Sequence, residues 1–176
     1  TPKTKAILPV HLFGQACNLD ELNTLAQKYN LYLIEDAAQS IGAKYKKKVT
    51  GSAGDAGAFS FYPTKNLGAY GDAGAVVTNR EDVIEFIKTF RTQGAKRKGL
   101  NEAVGMNSRL DEIQAMILLT KLKHLDNWIR KRREVARIYD ALLKDTPVTC
   151  PHVAYDRFHT FYQYTILVPY GRDQLV

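Results

Sequence analysis

The sequence predicts an α/β fold with a mostly parallel sheet, and the first part of the chain carries that prediction. Residues 5–10 and 31–34 are short and mostly apolar runs, as expected of strands that are buried on both faces. Between them, residues 19–29 place Leu22 and Leu25 at helical spacing. Strand, helix and strand within about thirty residues form the βαβ unit that joins parallel strands.

The rest of the chain continues this alternation. Ser108 stands where it could cap a helix that is apolar around much of its circumference, so we expect that helix to be buried. Further strands are expected at residues 56–61, 71–78 and 161–168, and further helices at 80–91, 108–122 and 125–144.

Composition narrows the function classes. The 176 residues carry a formal net charge of +7, and no apolar run reaches the ~18 residues of a membrane span, so we expect no membrane association. Cys17 and Cys150 lie far apart without a CxxC motif, which is typical of a reduced, cytoplasmic protein. The histidines show no ligand spacing with the cysteines, so no metal site is expected.

Basic clusters at residues 46–48, 96–98 and 130–133 admit three interpretations. One is nucleic-acid binding, but no nucleic-acid-binding motif accompanies the clusters, so no nucleic-acid partner is expected. The favoured interpretation is solvated loops and a solvated helix face. The third is attraction of an anionic substrate to the loop at 91–98.

The most informative residue is Lys65, in the segment SFYPTKNLG that follows a predicted strand. Asp36 follows the strand at 31–34, and Ser60 precedes the lysine by five positions. A carboxylate and an amine at neighbouring strand ends can hold a pyridinium ring, and a hydroxyl can donate to its phosphate. These residues favour a site for pyridoxal 5'-phosphate (PLP).

Three ordered motifs, EDAAQSIGA, GAFSFYPTKNLGAYGDAGAVVT and GMNSRLDEIQA, resemble the DegT/StrS-type nucleotide-sugar aminotransferases, PLP enzymes of fold type I. The resemblance runs over about residues 1–143 and implies that this chain is a fragment. It implies a three-layer αβα large domain with a mixed, mostly parallel sheet at residues 1–124. A connecting helix at 125–144 and the start of a small C-terminal α+β domain at 145–176 would follow.

The resemblance also implies a role for each motif residue. Lys65 would form the Schiff base with PLP and later move a proton. Asp36 would face the pyridine nitrogen, and Gln39 would pack near the ring's phenolic oxygen. Ser60 would bind the phosphate, and Asn107 would reach the phosphate of the partner subunit in a homodimer with shared sites.

His159 has two interpretations of similar weight. It corresponds to a substrate-side histidine in the resemblance, and a histidine at a strand end is as often satisfied by a structural neighbour.

The implied reaction is amination of a keto-sugar carried on a nucleotide, with pyridoxamine phosphate as the aminated form of the cofactor. Within the family, the stretch RTQGAKRK is similar to enzymes of dTDP-3-keto-6-deoxyhexoses with L-glutamate as amino donor. Two alternatives stay open, a C4-specific sugar aminotransferase and a non-catalytic regulatory protein on the same fold. The related dehydratases carry histidine in place of the lysine, so Lys65 argues against that branch.

Overall fold

A mixed sheet forms the centre of the fold in the computed structural model, which describes residues 1–97 and 99–174. Nine strands are described, in chain order β1 Ala6–Ile7, β2 Tyr32–Asp36, β3 Lys44–Tyr45, β4 Lys48–Val49, β5 Ala56–Ser60, β6 Gly74–Val77, β7 Ala95–Arg97, β8 Leu100–Asn101 and β9 Arg157–Phe158. The α-helices in that part of the chain are α1 Leu19–Tyr29, α2 Glu81–Phe90, α3 Glu112–Leu122 and α4 Leu125–Leu143.

The central sheet has the strand order β1-β2-β5-β6. The pairs β1–β2 and β2–β5 are parallel, and β5–β6 is antiparallel, so the predicted α/β class with a mixed, mostly parallel sheet is confirmed. In the register of β2 and β5, Asp36 lies opposite Ala58. Ser60 lies two residues further along β5, so both strands deliver a polar side chain to the same edge of the sheet.

Two predicted elements differ from the structure, one in where it begins and the other in being absent as a strand, because distant backbone groups bond to the same residues. The helix at 108–122 begins only at Glu112, with Asp111 at its N-cap position. The amides of Met106 and Ser108 donate instead to carbonyls at the end of α2, which keeps this segment extended.

The expected strand at 161–168 is reduced to one isolated bridge between Thr149 and Leu167. Phe161 has a φ of 44°, a left-handed conformation outside the strand region. The amide of Tyr162 donates to the carbonyl of Phe13, so this segment follows the first turn of the chain rather than a strand.

The predicted burial of α3 holds for only one side of the helix. Leu118 packs with Leu67, Ala69, Leu125 and Ile129 in a shared hydrophobic core. The opposite side carries exposed apolar side chains, namely Ile113, Met116, Leu119 and Leu122.

Helix α4 is attached to the C-terminal segment through its basic residues. Arg133 donates to the carbonyl oxygen of His159 at 2.8 Å, and Arg132 donates to that of Phe161 at 3.2 Å. The His159 and Phe161 rings stack with centroids 4.0 Å apart. The interpretation of residues 130–133 as a solvated face therefore holds for the exposed Arg130, Lys131 and Arg132 but not for the partly buried Arg133.

Gly57 in β5 allows a close backbone approach to the central sheet. A Cβ on Gly57 would lie 2.4 Å from the carbonyl oxygen of Gly51 and 2.5 Å from its Cα. We expect Gly57→Ala to lower the free energy of unfolding by about 1–3 kcal/mol, since backbone must move to admit the methyl group. Urea unfolding of the full-length protein measures this.

The matched control is Gly71→Ala, whose Cβ would meet only the end of the Gln114 side chain, at 3.3 Å. Equal stability losses in both variants would contradict the close approach at Gly57.

The buried His159 ring predicts a pH-dependent stability. Burial, reinforced by the nearby Arg133 charge, lowers the pKa of His159 from 6.5 to about 4. His159 therefore binds a proton below pH 6.5 in the unfolded chain, but only below about pH 4 in the folded protein. Over that window we expect the free energy of unfolding to fall by up to ~1.4 kcal/mol per pH unit.

His159→Gln should remove this part of the slope in urea titrations of the full-length protein at several pH values, whereas the exposed His152→Gln should leave it unchanged. A slope that is the same in wild type and His159→Gln would show that His159 is not held neutral.

Candidate active site

Asp36 ends β2 with its backbone bonded on one side to the first turn of the chain. Its amide donates to the carbonyl of Pro9 at 2.9 Å, and its carbonyl accepts from the amide of His11 at 3.0 Å. The half-buried carboxylate accepts one hydrogen bond, from the amide of Ala38 at 3.0 Å. It forms no ion pair with the described residues, so a carboxylate is available at the end of this strand.

Ser60 ends the neighbouring strand β5. Its hydroxyl oxygen accepts from the amide of Tyr62 at 3.3 Å, which leaves the hydroxyl proton free to donate. The side chain lines a cavity of about 1000 Å³ together with Tyr62, Asn107 and Arg109. The structure therefore brings two of the predicted phosphate-binding residues, Ser60 and Asn107, to one cavity within a single chain.

Lys65 lies in the loop between β5 and β6, as predicted. Its amide closes a turn onto the carbonyl of Tyr62 at 2.9 Å. Its Nζ stands 4.5 Å from the ring centroid of Tyr162, a cation–π distance. The half-buried amine has no carboxylate partner among the described residues, so it is not held in an ion pair.

The loop that carries Lys65 is held by α3. The residues after the lysine are buried, with Asn66 at 7% and Leu67 at 3% exposure. Lys121 donates to the carbonyl of Gly68 at 2.6 Å, and Gln114 accepts from the amide of Tyr70 at 2.8 Å. The sequence analysis missed both supports, although Gln114 stands in the motif DEIQA.

Gln39 is held against the first turn of the chain. Its Oε1 accepts from the amide of Phe13 at 2.8 Å, within the 3-10 turn Leu12–Gly14. Phe13 has a φ of 58°, a strained conformation for a bulky side chain. The amide nitrogen of Gln39 makes no hydrogen bond with the described residues, so one face of its amide remains available.

Asn107 is exposed, and its Oδ1 accepts from Arg109 Nε at 2.9 Å. The amide nitrogen of Asn107 stays available to donate. Its predicted reach across a dimer interface remains a prediction, since only one chain is present.

His159 is placed differently from the other candidates, because it is only 2% exposed. Its Nδ1 accepts from the amide of Phe161 at 2.9 Å. Burial and the Arg133 charge lower its pKa to about 4, so the ring is neutral at pH 7. This geometry favours the second of its two interpretations, a structural histidine.

The sequence analysis gave no role to the buried pair of His11 and Glu35, of which Glu35 directly precedes Asp36 in β2. His11 Nε2 lies 2.8 Å from Glu35 Oε2, and both side chains are 0% exposed. The amide of Cys17 donates to His11 Nδ1 at 3.1 Å, so the tautomer that satisfies both contacts carries its proton on Nε2.

Glu35 is the most strongly hydrogen-bonded carboxylate near the site. Besides His11, the amides of Gly51, Ala53 and Gly54 donate to its two oxygens at 2.7–2.8 Å. Burial alone would raise the pKa of Glu35, but these donors outweigh it and lower the pKa below its usual value. Glu35 is therefore a buried carboxylate anion rather than a neutral acid.

These groups match the polar groups of PLP. An amine without a carboxylate partner, a carboxylate without a cation and a hydroxyl with a free proton complement an aldehyde, a pyridine nitrogen and a phosphate respectively. In the part of the chain that the structure describes, no group of three or more His, Cys, Asp or Glu side chains could hold a metal ion. Within the same residues, no helix is long and apolar enough to cross a membrane.

Comparison with known proteins identifies relatives of this chain. The chain is 47% identical over 178 residues to the pleiotropic regulatory protein of Geobacillus stearothermophilus, covering 99% of this chain and 48% of that protein. It is 42% identical over 176 residues to dTDP-3-amino-3,4,6-trideoxy-alpha-D-glucose transaminase of Streptomyces venezuelae, covering 99% of this chain and 46% of that one. The chain thus spans about half the length of these curated relatives.

The fold agrees with a solved structure as well. The X-ray structure of S. venezuelae DesV, in complex with a ketimine intermediate, matches with a TM-score of 0.94 at 42% identity. The match covers 99% of this chain and 47% of that one. A family model, the DegT/DnrJ/EryC1/StrS aminotransferase family, matches residues 1–176. This chain therefore belongs to the DegT/DnrJ/EryC1/StrS aminotransferase family.

Proposed function

We propose that the full-length protein is a PLP-dependent aminotransferase that aminates a keto-sugar carried on a nucleotide. The observation that carries the proposal is the placement of Lys65. Its amine has no carboxylate partner in the described part of the chain, and its loop follows β5, beside the strand ends that present Asp36 and Ser60. Functional groups of open α/β sheets gather at this edge.

Each residue has a defined task in this proposal. Asp36 keeps a proton on the pyridine nitrogen, because a neighbouring negative charge favours the protonated form. Ser60 donates to the phosphate, Asn107 reaches the phosphate of the partner subunit, and Gln39 packs beside the ring. The bound cofactor supplies an electron sink that the side chains lack.

Lys65 has two tasks. Its Nζ would hold the cofactor covalently through the cofactor's aldehyde, and the free amine would accept the proton from the Cα of the amino donor. The Tyr162 ring, 4.5 Å from Nζ, stabilises the ammonium form that results. The buried Asn66 and Leu67 keep the loop in place during both tasks.

For the substrate we propose a dTDP-3-keto-6-deoxyhexose, with L-glutamate as amino donor. The name of the S. venezuelae relative, a transaminase for a dTDP-3-amino sugar, supports this choice. Arg91 and Arg109 line the cavity beside Ser60 and would attract a diphosphate. Lys98, part of the basic loop predicted to meet the substrate, lies outside the described residues. A C4-specific aminotransferase is the alternative within the family.

A homodimer with shared sites is part of the proposal. Asn107 is exposed in the single chain, and the outer side of α3 carries four exposed apolar side chains that a second subunit or further chain would cover. A non-catalytic regulatory protein is the second candidate function, and the name of the G. stearothermophilus relative favours it.

Lys65→Ala separates these candidates. If Lys65 is the reactive amine, the wild-type protein with PLP shows a visible absorption band that borohydride abolishes, and the variant lacks that band. Transamination should fall by at least about a thousandfold, since both the covalent link and the proton transfer are lost.

The control is Lys123→Ala, which removes an exposed lysine just after α3 and should leave band and rate unchanged. A wild-type protein without any band, or a variant that keeps it, would overturn the aminotransferase proposal and favour the regulatory one.

A further inference from the structure

The buried pair of Glu35 and His11 makes more hydrogen bonds than close packing alone requires. A carboxylate loses its hydration when it is buried, and an apolar replacement of similar size is often neutral or stabilising. Here four donors compensate Glu35, from His11, Gly51, Ala53 and Gly54. Such an arrangement fixes the positions of the surrounding backbone segments more than it stabilises the fold. Its position next to Asp36 therefore bears on the candidate site.

The Glu35 side chain faces different surroundings from the Asp36 side chain. Successive side chains of a strand point to opposite faces, so the Glu35 carboxylate lies on the far side of β2 from that of Asp36. Any influence of Glu35 on the site must therefore pass through the backbone or through His11.

His11 provides that path. Its ring is fixed by Glu35 on one nitrogen and by the Cys17 amide on the other. Its own backbone amide donates to the carbonyl of Asp36 at 3.0 Å, and the carbonyl of Pro9 accepts from the Asp36 amide. Fixing the imidazole therefore fixes the backbone that borders Asp36.

The same turn also reaches Gln39. Two residues after His11, the amide of Phe13 donates to Gln39 Oε1 at 2.8 Å, with Phe13 in a left-handed conformation. Such a conformation persists only where its surroundings hold it. The anchored His11 ring, two positions away, is one such restraint.

We infer that Glu35 and His11 are positioning residues that hold the turn at residues 9–14 against the end of β2, and so orient Asp36 and Gln39 for the cofactor. This inference rests on the proposed function, because it assigns the pair a purpose in the cofactor site. Neither residue touches the cofactor, and both act through the turn.

The first test is Glu35→Gln in the full-length protein. Glutamine keeps the volume but replaces one acceptor oxygen by an NH2 group that faces the same donors. We expect PLP affinity, measured by titration of the visible band, to fall by about tenfold or more, as for other supports of binding residues. The pH midpoint of that band should shift in the same direction as in Asp36→Asn.

Coupling to Asp36 distinguishes positioning from general destabilisation. In an Asp36→Asn background, Glu35→Gln should shift the midpoint little further, because the residue that it orients is already lost. Fully additive shifts, or a lowered stability with an unchanged midpoint and affinity, would overturn the inference.

The matched control is Thr50→Val. Thr50 is 1% exposed and donates to the carbonyl of Ser40 at 2.8 Å, so the variant loses a buried hydrogen bond next to Gly51. The Thr50 side chain forms no hydrogen bond with His11 or Asp36, so we expect unchanged PLP affinity in Thr50→Val. An equal loss of affinity in Thr50→Val would contradict a specific role of the pair.

If Glu35→Gln fails to fold, two His11 variants test the positioning role of the pair. His11→Gln keeps an N–H that can reach Glu35 and should retain more PLP affinity than His11→Leu, which has none. Equal affinities in the two variants would overturn the inference. A wild-type protein that shows no band with PLP would instead overturn the proposed function, so the two failures are distinguishable.

Discussion

The hydrogen-bonded Glu35 carboxylate is the interaction on which the rest of the site depends. It joins three segments that are distant in sequence, namely β2, the turn that contains His11, and the loop from Gly51 to Gly54. Leaving a buried charged group without one of its hydrogen-bond partners typically costs at least about 1–3 kcal/mol, so these segments are strongly tied. Because Gly57 has no side chain, Gly51 can lie close to β5, where its amide donates to Glu35.

A second support holds the lysine. The loop between β5 and β6 is anchored by Leu67 and Ala69, which pack on Leu118 of α3 and on Ile129 of α4. The candidate site thus depends on two independent structures, one polar and one apolar, which meet at the carboxyl ends of β2 and β5. This arrangement places the ends of β2 and β5 and the loop after β5 at the same edge of the sheet.

Local patterns predicted the elements whose structure depends on local forces. The apolar runs and the helix between them identified the βαβ unit, and the polar residues at or just beyond the strand ends identified Asp36, Ser60 and Lys65 as candidates. The helix start at Ser108 was wrong because Ser108 bonds to Arg91 instead. The role of Glu35 was missed because its donors come from residues sixteen or more positions away, which no local pattern reveals.

The central claim is that Lys65 carries the cofactor at the strand ends of a nucleotide-sugar aminotransferase. The most direct measurement is peptide mapping by mass spectrometry after borohydride reduction of the full-length protein with PLP. The account predicts a phosphopyridoxyl group on the peptide that contains Lys65 and on no other lysine. A modified lysine elsewhere, or a Lys65 peptide of unchanged mass, would contradict it.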